Sequence, residues 1–548
     1  MSKKNIVVLI LLVSLSFFSC NKSTKNNDCA KNIHKKLSEY VEVKLTSDIS
    51  NLTAKEKQML GLFIDAAKHA DNIFWKQSFG NKEKLTNDIK DNKIQKFALL
   101  NYGTWDRLDG NKPFVEKYGI KPVGARFYPS NMTFWEFDAL NSDDKYSMYT
   151  IIRRKKNGNL ITIPYHKAYK NDVNKISEIL KKASAITENK NLKNYLTLRA
   201  KAISTDNYLA SDIAWVDMKN NRIDIIIGPV ETYEDLLLGA KASYEAYVLV
   251  KDEKWTKKLN KFVDILPELQ KMLPVDEKYK NEIPVVNSDI GVYDVVYAAG
   301  DCNAGSKKIS VVYPFVGQEG YNKGSRKLQF KNVMNAKFKK ILKPISNEMI
   351  DANQLNNVKF DAFFEISMFY EVGNSLGITN TINNRGSIKQ ALREKYNIAN
   401  ELKANILSLF FITKLQEMGG ILNDKDIMDN YVTFMADIIR SVRFGASNSQ
   451  AIANLIIYNY FKKNNAFTIN SNGKYKIDFE NMKNASLNLS KKILIIQGNG
   501  DYDGASKLIE KYGKINSGLQ KSLNNIANAG IPVDVTFSQG KNVIGLYY

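Results

Sequence analysis

A chain of 548 residues, 44% hydrophobic and 11% aromatic, has the material for large buried cores and more than one lobe, which excludes a disordered chain. Its formal charge of +22 invites an anionic partner, but the 79 Lys and Arg are spread through nearly every segment and no nucleic-acid motif accompanies them. Nucleic acid is therefore not an expected partner, and runs such as Arg153-Arg154-Lys155-Lys156 read as solvated turns.

In chain order, Lys3 and Lys4 precede an apolar run over residues 6–18 that ends at Ser19-Cys20-Asn21. About a dozen apolar residues are too few to span a bilayer, and the basic start fits a secretory signal, so 1–19 reads as a signal peptide. Cys20, directly after a small residue, has the position of the acylated cysteine of a bacterial lipoprotein; an ordinary signal with a chance cysteine is the alternative. Residues 20–50 then supply the lipidated cysteine and a polar tether, and the expected location is the bacterial cell envelope, exported and membrane-anchored through Cys20. Beyond it only Cys29 and Cys302 remain; they could pair, but a free buried thiol is expected at Cys302.

Residues 51–255 are read as the first part of a mixed lobe. Apolar spacing is helical from 51 to about 119, Thr133-Phe134-Trp135-Glu136 is a capping box, and 171–218 is helical with Trp215 and Met218 on a core-facing stripe. Strand signals follow at 223–227 and 246–250 and, after a helical crossover over 256–284, at 293–298 and 309–315 within a β segment of 285–334. These should form one sheet or barrel. Residues 335–530 are a largely helical lobe and 531–548 a C-terminal tail, so the fold class is α+β, two-lobed, with a β-barrel or sheet core in the mixed lobe.

The chemistry lies in the helical lobe. Residues 363–377 include Tyr370-Glu371-Val372-Gly373-Asn374, the frame of an H-E-x-x-H helix with Tyr370 and Asn374 where two zinc ligands would stand. In that motif residues four apart share a helix face and hold the metal, while the Glu beside the first ligand acts as general base. Downstream, Ala399-Asn400-Glu401-Leu402-Lys403-Ala404-Asn405 resembles an E-E-x-[RK]-A-[DE] segment. Upstream, Ile227-Gly228-Pro229-Val230-Glu231-Thr232-Tyr233-Glu234-Asp235, followed by Tyr244-Glu245-Ala246-Tyr247, resembles I-G-x-x-E-[ST]-Y-x-D.

Three such segments in this order resemble the dipeptidyl peptidase III family of zinc metallopeptidases, in its compact bacterial branch, over most of the chain from about Gly124 onward. The resemblance implies two lobes around a wide cleft, with the chain crossing between them more than once. It places metal-ligand positions at Tyr370, Asn374 and Glu401, of which only Glu401 is retained, and the general-base position at Glu371. Glu231 and Glu245 match positions that receive a peptide's free α-ammonium at the cleft mouth, and Tyr233 a neighbouring hydrogen-bonding position. The family's transition-state histidine, in an A-H-G-[KR]-A-N pattern, is replaced by Gln450, and two substrate-gripping asparagines fall at Val312 and Phe315 if Pro314 keeps the register.

Magnitude bears on whether the remainder can hydrolyse peptides. Catalytic zinc lowers the pKa of bound water from about 15.7 to about 7, roughly 12 kcal/mol of help in forming hydroxide. Glu371 and Glu401 alone cannot replace it; an Asn amide is a poor zinc donor, and a phenol must first be deprotonated. The three histidines, His34, His69 and His166, all lie far upstream and read as ordinary surface or core residues. The expectation is an envelope lipoprotein of this family that is a pseudoenzyme, needs no cofactor, and binds short peptides by their free N-terminus. The alternatives are an active dipeptidyl peptidase with altered ligands, using zinc, and a structural surface lipoprotein with a vestigial cleft.

Overall fold

A computed structural model describes residues 22–263, 265–282, 289–313, 326–419, 426–446 and 448–547. Cys20 and Phe315 lie outside them. In the stretch expected to be a tether, the described residues open with α1 (Lys22–Ser38), which leads into β1 (Tyr40–Lys44). Such a polar helix is marginal alone; here Ile33 enters a small apolar core with Phe74, Trp75 and Phe97, and His34 bonds Asp91 at 2.9 Å.

The helical reading of 51–119 holds for α2 (Ala54–Ser78), opened by a capping box at Thr53, and for two short helices ending at Asn101. Beyond that the backbone is mostly irregular, with a minimal hairpin at Trp105–Asp106 and Lys112–Pro113. The box at Thr133 opens a short helix, Phe134–Asp138. Next come α3 (Lys170–Ile186) and α4 (Lys190–Thr205), and Trp215 and Met218 are fully buried.

Five strands form one sheet: β2 (Ile223–Glu231), β3 (Ser243–Lys251), β4 (Asp289–Gly300), β5 (Ser310–Tyr313) and β6 (Arg326–Phe330). Their order is β2-β3-β4-β6-β5, with β4 and β6 parallel and the other pairs antiparallel. Every residue of β2 is buried, Asp224 included, as its Ile-rich run suggests for a strand covered on both faces. At the end of β4, Gly300 has φ +74° and a Cβ there would lie 2.3 Å from Tyr244 O. Only glycine fits, and it turns the chain into Asp301.

The longest helices of the helical lobe are α5 (Phe360–Ser375), α6 (Tyr396–Glu417), α7 (Ile427–Ser441), α8 (Ser449–Lys463) and α9 (Phe479–Gly498), and a hairpin joins Phe467–Ile469 to Tyr475–Ile477. α6 is central and packs on α5, α8 and α9. Two large cores, one in each lobe, match this division. The C-terminal residues are no loose tail: β7 (Asp534–Ser538) pairs in parallel with β1, and Ile544 and Leu546 enter the mixed-lobe core.

Candidate functional site

α5 is apolar on nearly every face, as a helix packed between two layers must be. A Cβ on Gly373 would sit 2.8 Å from Ala404 O and 3.0 Å from Leu407 Cβ, so this glycine sets the close approach of α5 to α6. The helix ends against two buried lysines. Lys403 Nζ donates to Asn374 O (3.1 Å) and Leu376 O (2.7 Å), and Lys327 Nζ, from β6, donates to Glu371 O (2.8 Å) and to Ser375 Oγ. Lys403 thus gives donors to the carbonyls of Asn374 and Leu376 at the helix end, and both lysines place cations at its negative end.

This packing brings the predicted ligand positions together, each already bonded. Tyr370 OH donates to Glu401 Oε2 at 2.9 Å, and Asn400 Nδ2 donates to Asn374 Oδ1 at 2.7 Å. Burial, then the charge of Glu401, raises the Tyr370 phenol well above its ordinary value, and burial raises the Glu401 carboxyl. Burial likewise raises Glu371, opposed by Lys327 and by Ser310 Oγ, which donates to Glu371 Oε1 at 3.3 Å across the lobes. A protonated phenol, a neutral amide and one carboxylate do not fit zinc, which takes thiolate, imidazole and carboxylate donors. Among the described residues no three His, Cys, Asp or Glu side chains are grouped to hold a metal. The histidines are elsewhere, each beside an aspartate: His34 with Asp91, His69 with Asp172, His166 with Asp206.

The cleft in front of α5 has a volume of about 480 Å³. Tyr370, Glu371, Asn374, Arg440 and an exposed Gln450 line its helical side; Glu231, Tyr233, Lys308, Ser310 and Val312 line the other. Gln450 stands in the first turn of α8, capped by Asn448, whose Oδ1 accepts from Ala451 N. The loop after β2 is tied by Asp235, whose carboxylate accepts from the N–H groups of Leu237, Leu238, Ala240 and Lys241 and from Tyr128 OH. That loop leaves Tyr233 69% exposed.

The two carboxylates do not both stand at the cleft mouth. Glu231 lines the wall, but Glu245, on β3 opposite Gly300, is 2% exposed, and its Oε2 has no hydrogen-bond partner among the described residues. Burial pushes Glu245 up to about 8 and the neighbouring Asp301 up to about 6. Sequence reasoning missed Asp301 and Lys308. Lys308 Nζ lies 2.6 Å from Glu231 Oε1 and 5.6 Å from the Tyr233 ring centre. Burial pulls the Lys308 pKa down, but Glu245 and Glu231 outweigh it and hold it above the usual lysine value. Cys302 is buried as expected and free, donating to Ala299 O (3.2 Å).

A sequence profile described as Peptidase family M49 matches residues 99–371. Among solved structures, DPP III from Caldithrix abyssi superposes with a TM-score of 0.88 at 32% identity, covering 94% of this chain and 100% of that one. Dipeptidyl-peptidase III from Corallococcus sp. strain EGB superposes with a TM-score of 0.79 at 29% identity, covering 93% and 97%. A curated relative, Nudix hydrolase 3 of Arabidopsis thaliana, is 30% identical over 92% of this chain and 73% of that protein, so part of the protein bearing that name lies outside the match. The similarity thus starts upstream of Gly124.

Proposed function

We infer, from the premise that this chain belongs to peptidase family M49, the family of dipeptidyl peptidase III, that it keeps the family's peptide cleft without its hydrolytic chemistry. The observation that carries this is the bond from Tyr370 OH to Glu401. With Asn374 bonded to Asn400, each of the three ligand positions already has a hydrogen-bond partner within the chain. A general base needs an acidified water to take its proton from, and a donor set that zinc does not fit gives the buried Glu371 no such partner.

The proposed ligand is a short peptide with a free α-ammonium, received at Glu231 and Tyr233 with Glu245 behind them. A charge-assisted hydrogen bond contributes about 1.5–3 kcal/mol. With the substrate-gripping asparagine position at Val312 apolar, affinity should be low, with Kd on the order of micromolar to millimolar. Calorimetry with tetra-alanine and its N-acetylated form tests this, because acetylation removes the charge. The free peptide should bind, the acetylated one should not, and Glu231→Ala should weaken binding by about tenfold or more. Equal affinity for both peptides, or none for either, would mean that the carboxylates are structural and the cleft vestigial. We further propose that the protein is held at the cell envelope by a lipid on Cys20.

A further inference from the structure

The side chains that should receive a peptide's ammonium are engaged by an ammonium of the chain itself. Lys308 Nζ bonds Glu231, stands by the Tyr233 ring, and is the cation on which Glu245 and Asp301 act. We propose that Lys308 is a tethered occupant of the amine subsite, so that a peptide's free N-terminus binds only by displacing it. This rests on the peptide-binding reading given above and adds the residue that sets its strength.

The segment bearing Lys308 is fixed by bonds that do not involve Glu231, Glu245 or Asp301. Asp534 Oδ2, on β7, accepts from Ser306 Oγ and from Lys307 N, both at 2.9 Å, and Lys337 Nζ donates to Lys307 O at 2.5 Å. The backbone therefore delivers Lys308 to the carboxylates, while a third of its side chain remains exposed and the long stem can swing out. An ion on a short flexible tether competes at an effective concentration on the order of millimolar. A peptide offering one ammonium at micromolar concentration loses that contest unless further contacts help it. The acidic cluster also has unsatisfied capacity: Glu245 Oε2 and Asp301 Oδ2 are buried without hydrogen-bond partners among the described residues, as expected of a subsite built for more than one donor.

The test is calorimetry of tetra-alanine and N-acetyl-tetra-alanine against wild type, Lys308→Gln and Lys308→Arg. Lys308→Gln should bind the free peptide about tenfold or more tightly than wild type, with no gain for the acetylated peptide, and Lys308→Arg should stay weak. Because Lys308→Gln leaves three acidic groups without their cation, Lys308→Gln with Asp301→Asn is made in parallel, and it should show the same gain if the single variant does not fold. Unchanged or weaker binding of the free peptide to the folded variant, with wild type still binding it, would overturn the proposal while leaving the peptide reading intact. Absence of free-peptide binding to wild type and variants alike would overturn both.

Discussion

At position 370 a phenol, not an imidazole, meets Glu401. Glu401 accepts from Tyr370 OH, in a half-buried pair that needs no ion. Glu245 makes a sharper residue-scale prediction. Burial takes its carboxyl from 4.5 to about 8. Between those values the folded chain holds a proton that the unfolded chain has released, so this group's contribution to stability is lost as pH rises through the window. Glu245→Gln cannot titrate. Its melting temperature relative to wild type should therefore climb between about pH 5 and about pH 8 and level off above; parallel profiles for the two proteins would refute the shift. The i, i+4 frame at Tyr370 and Asn374 was readable because local spacing fixes a helix face. Lys308 was not, because Glu231, Glu245 and Asp301 come from separate stretches that only the β2-β3-β4 pairing brings together.

At the scale of elements, packing holds α5 in place. Its glycine contact with α6 and its two lysine caps are independent of any ligand. Gly373→Ala should push α5 away from Ala404 and Leu407 and lower stability by about 1–3 kcal/mol in denaturant unfolding; an unchanged midpoint would show that the interface gives way freely. Four strands of the sheet were legible as β-branched or aromatic runs. β6, Arg-Lys-Leu-Gln-Phe, was not, since charged and amide side chains carry no strand signal even though all five residues are buried. The pairing of β1 with β7 joins the two ends of the described chain, a contact that no local pattern encodes.

Over the whole molecule, the chain leaves the mixed-lobe core through Leu259 to Tyr279, returns with β4, leaves again after Val333, and comes back at Ile544 and Leu546. The two lobes are also bonded to each other: Ser367 Oγ donates to Gln329 Oε1 at 3.0 Å, and Ser310 Oγ reaches Glu371 across the cleft. The proposed anchor lies beyond the described residues and is tested by fractionation. Wild type should partition with membranes, and Cys20→Ser should be released or remain an uncleaved precursor, since acyl chains contribute about 0.8 kcal/mol per buried methylene. Unchanged membrane attachment of that variant would remove the lipoprotein proposal.

The claim that this M49 cleft binds without cutting rests on a donor set that zinc does not fit, and it is tested most directly by the zinc content of protein purified without chelator. Tyr370→His with Asn374→His serves as the comparison, because Glu401 reaches position 370 from α6 and the double variant should retain the metal. Wild type should carry far less than one zinc per chain; one zinc per wild-type chain would contradict the account.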